Sequence, residues 1–205
     1  MFVNRGMEDE KSNIGQKQIE DNDQKKKALE ALVPIVAMEI EYVPEIFHNP
    51  KDKTPQIIRK RKEWIFAHLQ NKTPNSPIGK VIITKSGIHD SLFKGCNRYK
   101  AGLYPILDKL IESSVVLQST LDEFGERQFV IGSKYLRGGV IGYVGIVIRV
   151  DKDGNKYYSH TIYQKNNRAA TGGTGNQNLT RNLHPAVNNI LQEILSVNNN
   201  LGRRV

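Results

Sequence analysis

The sequence predicts an α+β fold in which helices pack on one face of a small antiparallel sheet of about four strands, with a helical N-terminal extension. Two observations predict the sheet: apolar residues alternate through 140–150, and an Asp153-Gly154 hairpin signal follows them. A third, the helical spacing of apolar residues between 99 and 114, predicts a helix that covers the sheet.

Composition divides the chain into four predicted segments. Residues 1–27 are polar and charged, which favours disorder or a solvated helix. Residues 28–77 form a helical extension that ends in a linker rich in Pro, Asn and Ser. The α+β domain occupies residues 78–165, and residues 166–205 are predicted to be a Gly- and Asn-rich loop followed by a C-terminal helix.

Two of the helices predicted from apolar periodicity lie between residues 56 and 117. The first spans 56–69 and carries a basic run, Arg59 to Lys62, that either contacts nucleic acid or is a solvated helix face. The second spans about 105–117, after a strand that begins at Gly79 and a turn that carries His89. We expect its apolar stripe to pack on the sheet. The stripe begins before that helix, in a short first turn that ends near Tyr104, and Pro105 then begins the main helix. The stripe contains Tyr99, Leu103, Ile106, Leu107, Leu110, Ile111 and Ser114.

The two faces of the predicted hairpin differ in chemistry. A two-residue loop pairs Val147 with His160 and Arg149 with Tyr158. One face is then aliphatic and suits the helix, whereas the other brings aromatic, cationic and imidazole groups together. A three-residue loop with a bulge would instead move His160 to the other face. The aliphatic face contains Val144, Ile146, Ile148, Thr161 and Tyr163, and the second face contains Tyr143, Arg149, Tyr158, His160 and Gln164.

Charge and cysteine content narrow the classes of function. The formal net charge of +9 favours an anionic partner, with ordinary solubility as the alternative reason for it. Cys96 is the only cysteine, so it forms no internal disulfide, and a small buried residue is the expected role. The chain has no membrane-length apolar run and no signal peptide at Met1, which predicts a cytoplasmic protein without a membrane partner. The sequence contains no HExxH or other close pair of histidines with metal-ligand spacing, so no metal site is predicted, and no cofactor is expected.

Two of the five histidines lie where they could perform proton transfer beside cations. Cleavage of RNA without a metal needs a base, an acid and a cation near one phosphate. His89 and His160 could supply the base and the acid, with Lys100 and Arg149 as cations. The remaining candidates would bind substrate through charge or base stacking. They are Lys94, Arg98, Tyr143, Tyr158, Thr161, Tyr163 and Lys165.

The order of motifs resembles a known superfamily. VIITKSGIHDSLFKG, a helix of the type LYPILDKLIESSVVLQ and strands ending in YYSHTIYQK are similar to the phage-associated branch of the barnase–EndoU–colicin–RelE-like nucleases. The resemblance covers roughly residues 79–165. It implies helices followed by a four-stranded antiparallel sheet, metal-independent cleavage of RNA, and active-site positions at His89 and His160, with Lys100, Thr161 and Tyr163 as neighbours. For toxin-like members it also implies an inhibitor or immunity protein as a partner.

The leading hypothesis is therefore a metal-independent endoribonuclease of phage or mobile-element type. One alternative is a nucleic-acid-binding module on the same scaffold without catalysis. Another is a phage structural or packaging accessory protein, whose basic surface would serve solubility or contact with DNA. Turnover separates the first two, since both would bind phosphates.

Overall fold

The computed structural model of the chain describes residues 20–121 and 125–163. Residues Leu32–Ala170 make up one compact unit, and the helix α1 at residues 20–31 belongs to another. The first unit contains four helices, seven strands and three short 3₁₀ turns among its described residues. The helices are α2 (Pro55–Leu69), α3 (Lys85–Phe93), α4 (Arg98–Ala101) and α5 (Leu107–Glu112), and the turns are Ile40–Tyr42, Glu45–Phe47 and Tyr104–Ile106. The strands are β1 (Ile35–Val36), β2 (Asn75–Ser76), β3 (Gly79–Ile82), β4 (Val115–Leu121), β5 (Arg127–Arg137), β6 (Val140–Val150) and β7 (Lys156–Tyr163).

The described strands form one mixed sheet. Its order is β1-β5-β6-β7-β3-β2, and β4 pairs with β5 as well. The β1–β5 and β3–β7 pairs are parallel, whereas the remaining pairs are antiparallel. The predicted α+β fold on about four antiparallel strands is therefore wrong, because the protein is a mixed α/β structure with a curled seven-stranded sheet.

The error has local causes. β1 and β2 are two residues long, which is too short to show an alternating pattern. β4 begins at Val115 inside the predicted helix 105–117, and the observed helix α5 already ends at Glu112. The apolar residues Val115 to Leu117 continued the helical stripe in the sequence, so periodicity alone did not separate the strand from the helix.

The hairpin between β6 and β7 is confirmed, although its loop is longer than predicted. Five residues, Asp151 to Asn155, join the strands. The Asp151 N–H donates to the Asn155 carbonyl at 3.0 Å, and the Gly154 N–H donates to the Asp151 carbonyl at 3.0 Å. Gly154 has φ of 84°, a conformation that glycine adopts without a steric cost.

The aliphatic face of β6 is buried in the core, as predicted. Val144, Ile146 and Ile148 are each at most 1% exposed. They share one apolar cluster with α5, which contributes Leu107 and Leu110. The helix α2 was predicted at 56–69, and its observed bounds confirm it. It adds Ile65 and Leu69 to the same cluster, so side chains from both sides of residue 77 pack together.

Several predictions lie outside the described residues. The loop and helix predicted for 166–205 fall there, as do most of 1–27 and the side chains of Tyr163, Gln164 and Lys165. The division into four segments stays a prediction. Within the part of the chain that the structure describes, no helix combines the length and the hydropathy needed to cross a membrane.

Candidate functional site

A bulge in β7 positions His160. Val147 pairs with His160, but its neighbour Ile148 pairs with Tyr158, so Ser159 is the extra residue on β7. An extra residue reverses the alternation of side chains, and Tyr158 therefore points to the opposite face from the one predicted. Tyr158 is 1% exposed and belongs to the core, which corrects its predicted place beside His160.

Cations surround the partly buried His160 ring. Its Nδ1 lies 3.4 Å from Lys94 Nζ and 3.0 Å from Ser159 Oγ. Burial, followed by the charges of Lys94, Lys100 and Arg149, lowers the pKa of His160 to about 3. The imidazole is therefore neutral at neutral pH. Because an ammonium group can only donate, Nδ1 is assigned as the acceptor, and Nε2 then carries the proton and is a hydrogen-bond donor.

Arg149 lies beside His160 and has a side-chain donor without a hydrogen-bond partner. It is two residues along β6 from Val147, the pairing partner of His160, and so shares the face of that partner. Its Nε is buried and has no hydrogen-bond partner. Among the salt bridges of residues 20–121 and 125–163, none includes Arg149 or Lys100. A buried donor of this kind is satisfied when an anion binds.

Lys100 supplies a buried positive charge behind His160. Its side chain is 3% exposed, and Nζ donates to the Ser91 carbonyl at 3.0 Å. Burial, opposed by Cys96 and assisted by the nearby Lys94, lowers the pKa of Lys100 to about 8. Burial likewise raises the pKa of Cys96 to about 11, so its thiol is protonated and fits the structural role that was predicted.

A hydrogen-bonded network joins α3 to β7 beneath this site. Ser91 Oγ lies 2.6 Å from Tyr104 Oη and accepts from Tyr158 Oη at 2.8 Å. Tyr158 Oη is also 2.9 Å from Thr161 Oγ1. All four side chains are buried, which makes Tyr158 and Thr161 supports of the site. A role for either in contacting substrate stays a prediction.

His89 lies in α3 and not in the turn that was predicted. Thr84 caps this helix by accepting the Gly87 N–H at 3.0 Å, so the helix begins earlier than the Gly, Asp and Ser residues suggested. The His89 ring contacts the Phe93 ring in a tilted arrangement, with 4.4 Å between centroids, and lines a depression shared with α2. Ser91 contacts β7, and a helix turns about 200° between His89 and Ser91. The two predicted catalytic histidines thus lie on different sides of α3, and their pairing stays a prediction.

The structure thus brings Lys94, Lys100 and Arg149 to His160, and we call these four residues the His160 cluster. Of the other candidates, Arg98 contacts its own neighbour and Tyr143 lies apart from the cluster. Arg98 stacks on its neighbour Tyr99, with 5.2 Å from the guanidinium carbon to the ring centroid. Tyr143 lies four residues from Val147 along β6, about 13 Å at the usual rise of a strand. Sequence reasoning missed Ser159 and Ser91, because no local signal marks a bulge or a buried serine bonded to a distant strand.

Lys100→Met should stabilise the fold by about 2 kcal/mol at pH 7, because it removes a buried ammonium and sacrifices one hydrogen bond. The direction in which pH changes the stability follows from the lowered pKa of Lys100. Between about pH 8 and pH 10.5 the unfolded chain binds the proton that folded Lys100 has lost, so raising the pH through this window stabilises the wild type. Denaturant unfolding at pH 7 and pH 10 should show the advantage of the variant shrinking at the higher pH. Lys109→Met, which changes an exposed lysine of α5, is the control.

Comparison with known proteins identifies a family and nothing closer. A family model described as Large polyvalent protein-associated domain 3 matches residues 52–158, just over half of the chain. The matched segment runs from just before α2 to Tyr158, and so ends two residues before His160. No curated protein and no solved structure matches the chain significantly. The match fits the phage association that the resemblance implied, and it does not show membership of a nuclease superfamily.

Proposed function

Because the chain belongs to the large polyvalent protein-associated domain 3 family, we propose that it gives such a protein a nucleic-acid-binding domain whose phosphate site is the His160 cluster. The observation that supports this most is the convergence of three cations on one neutral imidazole. Like charges repel, and three cations held around one neutral imidazole form a site that is suited to an anion. An RNA strand is the proposed ligand, and a phage or mobile-element setting fits the family.

The donors of the cluster can surround a phosphate group. Arg149 Nε lacks a partner, Lys94 lies at the exposed end of α3, and the assigned tautomer gives His160 an Nε2–H donor. Charge-assisted hydrogen bonds of this type are about twice as strong as neutral ones. Lys100 contributes charge from behind, because its ammonium is already bonded to the Ser91 carbonyl. A bound phosphate would offset the three positive charges and raise the pKa of His160.

Arg149→Met should weaken the binding of a labelled single-stranded RNA by at least about tenfold, since a hydrogen bond to a charged group is worth about 1.5–3 kcal/mol. Fluorescence anisotropy at a fixed salt concentration measures the change. Lys109→Met removes one positive charge at an exposed position of α5 and should leave affinity nearly unaltered. Equal losses in the two variants would mean that only net charge matters, and the proposed site would then be rejected.

A second candidate function is metal-independent cleavage of the bound RNA. The observation that favours it is a neutral imidazole beside a lysine of lowered pKa, since such shifted groups are typical of acid–base sites. In this reaction a base takes the proton of the 2′-hydroxyl as its oxygen attacks phosphorus. The bond to the 5′-oxygen breaks, and an acid protonates that oxygen. His160, with its pKa raised by the bound phosphate, is the proposed base. It would act in the other tautomer, in which Nδ1–H donates to Ser159 Oγ and Nε2 accepts the proton of the 2′-hydroxyl.

The products separate cleavage from binding alone. Incubation of the pure protein with RNA in EDTA should yield fragments that end in 2′,3′-cyclic phosphate and 5′-hydroxyl groups. If the RNA stays intact after prolonged incubation although the protein still binds it, cleavage is rejected and the phosphate-binding function is retained. Total RNA is used as the substrate so that a sequence-specific target is included, and the cut ends are then mapped.

A further inference from the structure

A basic groove runs between α2 and α3, outside the His160 cluster. It consists of two adjoining depressions that share Arg59 and Lys62 of α2. α3 contributes Lys85, His89 and Phe93, which are spaced four residues apart and so lie along one stripe of the helix. We call this surface the α2–α3 groove. The buried faces of both helices point elsewhere, so these side chains are not needed for the core.

The charge of the groove favours an anionic occupant. Four cations line it, Lys53, Arg59, Lys62 and Lys85, against one carboxylate, Glu63. Glu63 lies 3.7 Å from Arg59 Nε, but both side chains are about 70% exposed, at 67% and 71%. Exposed pairs of this type contribute little, so the pair does not fix either side chain against a ligand. The groove therefore keeps a clear excess of positive charge.

The groove also presents aromatic surfaces that its charge alone does not explain. Phe93 is 47% exposed at the end of the α3 stripe, and the His89 ring contacts it in a tilted arrangement. Lys53 Nζ lies 5.8 Å from the centre of the Phe93 ring, and Lys85 Nζ lies 5.1 Å from that of Phe66. Aromatic faces interleaved with cations are typical of surfaces on which unpaired bases stack while their phosphates meet positive charge.

We infer that the α2–α3 groove binds a single-stranded nucleic-acid segment, with a base stacked on Phe93 and phosphates against Arg59 and Lys62. The inference deepens the proposed function and rests on it, because it assigns the nucleotides that flank the phosphate held at the His160 cluster. Phe93 is followed directly by Lys94, whose Nζ lies 3.4 Å from His160 Nδ1. Because the groove and the cluster lie on different sides of α3, the strand would pass around the C-terminal end of this helix, at Phe93 and Lys94. A duplex cannot bind in this way, since its bases are stacked on each other and offer no free face.

Phe93→Ala should weaken the binding of a single-stranded RNA about tenfold, because stacking of one base on an aromatic side chain supports a change of that size. A blunt duplex of the same sequence should bind the variant and the wild type equally. Lys62→Met should lower the slope of log affinity against log salt by about 0.7, as the loss of one phosphate contact to a single strand predicts. Anisotropy titrations of the full chain at several salt concentrations measure both effects. Single-stranded DNA in parallel titrations tests whether the sugar matters.

Controls separate the groove from the His160 cluster. Tyr42→Ala removes an aromatic side chain that is 76% exposed and outside the groove, and its affinity should match the wild type. If Phe93→Ala binds RNA as the wild type does while Arg149→Met loses affinity, binding in the groove is overturned and the proposed phosphate site is retained. A loss in Phe93→Ala with none in Arg149→Met overturns the proposed site and the path between the two. Competition by polyglutamate as strong as that by RNA would also overturn the groove. Thermal unfolding of each variant checks that it is folded.

Discussion

Gly87→Ala should lower the free energy of unfolding by at least about 3 kcal/mol, at the upper end of the usual cost of overpacking. A β-carbon at this position would lie 2.0 Å from the carbonyl oxygen of Tyr158, which is backbone and cannot rotate away. The helix α3 would have to retreat from β7. That movement would also break the Ser91 hydrogen bonds to Tyr158 and Tyr104. Urea or thermal unfolding of the purified variant measures the loss.

Gly145→Ala is the matched control for this substitution. It also adds one methyl group to a buried glycine, but the nearest atoms to the new carbon belong to the Ile162 side chain at 3.5 Å, an ordinary contact distance. We expect a change within about 1 kcal/mol, as for substitutions without a clash. If the Gly87 and Gly145 variants were equally stable, the close approach of α3 to β7 would not be a requirement of the fold.

His160→Ala should slow any RNA cleavage by about 10²- to 10⁴-fold, the usual contribution of a general base, and weaken RNA binding much less. Removing the ring leaves the phosphate contacts of Lys94 and Arg149 in place. Single-turnover cleavage with saturating protein separates this loss from a loss of affinity. His48→Ala, at an exposed position outside the cluster, should cleave at the wild-type rate.

His89→Ala tests the predicted pairing of the two histidines. A loss comparable to that of His160→Ala would support His89 as the acid, even though the two residues lie on different sides of α3. A loss of binding without a loss of the single-turnover rate would assign His89 to the α2–α3 groove. Full cleavage by both histidine variants would remove the acid–base mechanism altogether.

The hairpin shows how far the sequence predicted the site. Alternation in β6 placed Val147 opposite His160 correctly, although the assumed loop was wrong. The observed pair of Val150 with Lys156 is one residue out of the predicted register, and the Ser159 bulge then restores the register at His160. No residue type marks this bulge, so Tyr158 was assigned to the wrong face. The cations at His160 were predictable as candidates, but the buried state of Lys100 depends on packing between distant segments.

The helix α2 could be predicted from the sequence, whereas the two short strands could not. α2 has fifteen residues, enough to show a helical period. β1 has two residues and pairs in parallel with Tyr135 and Leu136 of β5, a hundred positions away. Nothing local encodes such a pair, because its stabilisation comes from the partner strand and the surrounding core. The same holds for β3, which extends the sheet beside β7.

The two parallel pairs also decide when this domain can fold during synthesis. Ile35 can pair only after Tyr135 has been synthesised, and Val81 only after Lys156. The sheet therefore cannot be completed until nearly the whole unit has left the ribosome. Such a high contact order slows folding and exposes apolar strands for longer than a local topology would. Pausing translation just before β7 should therefore leave the nascent domain open to proteases and to chaperones.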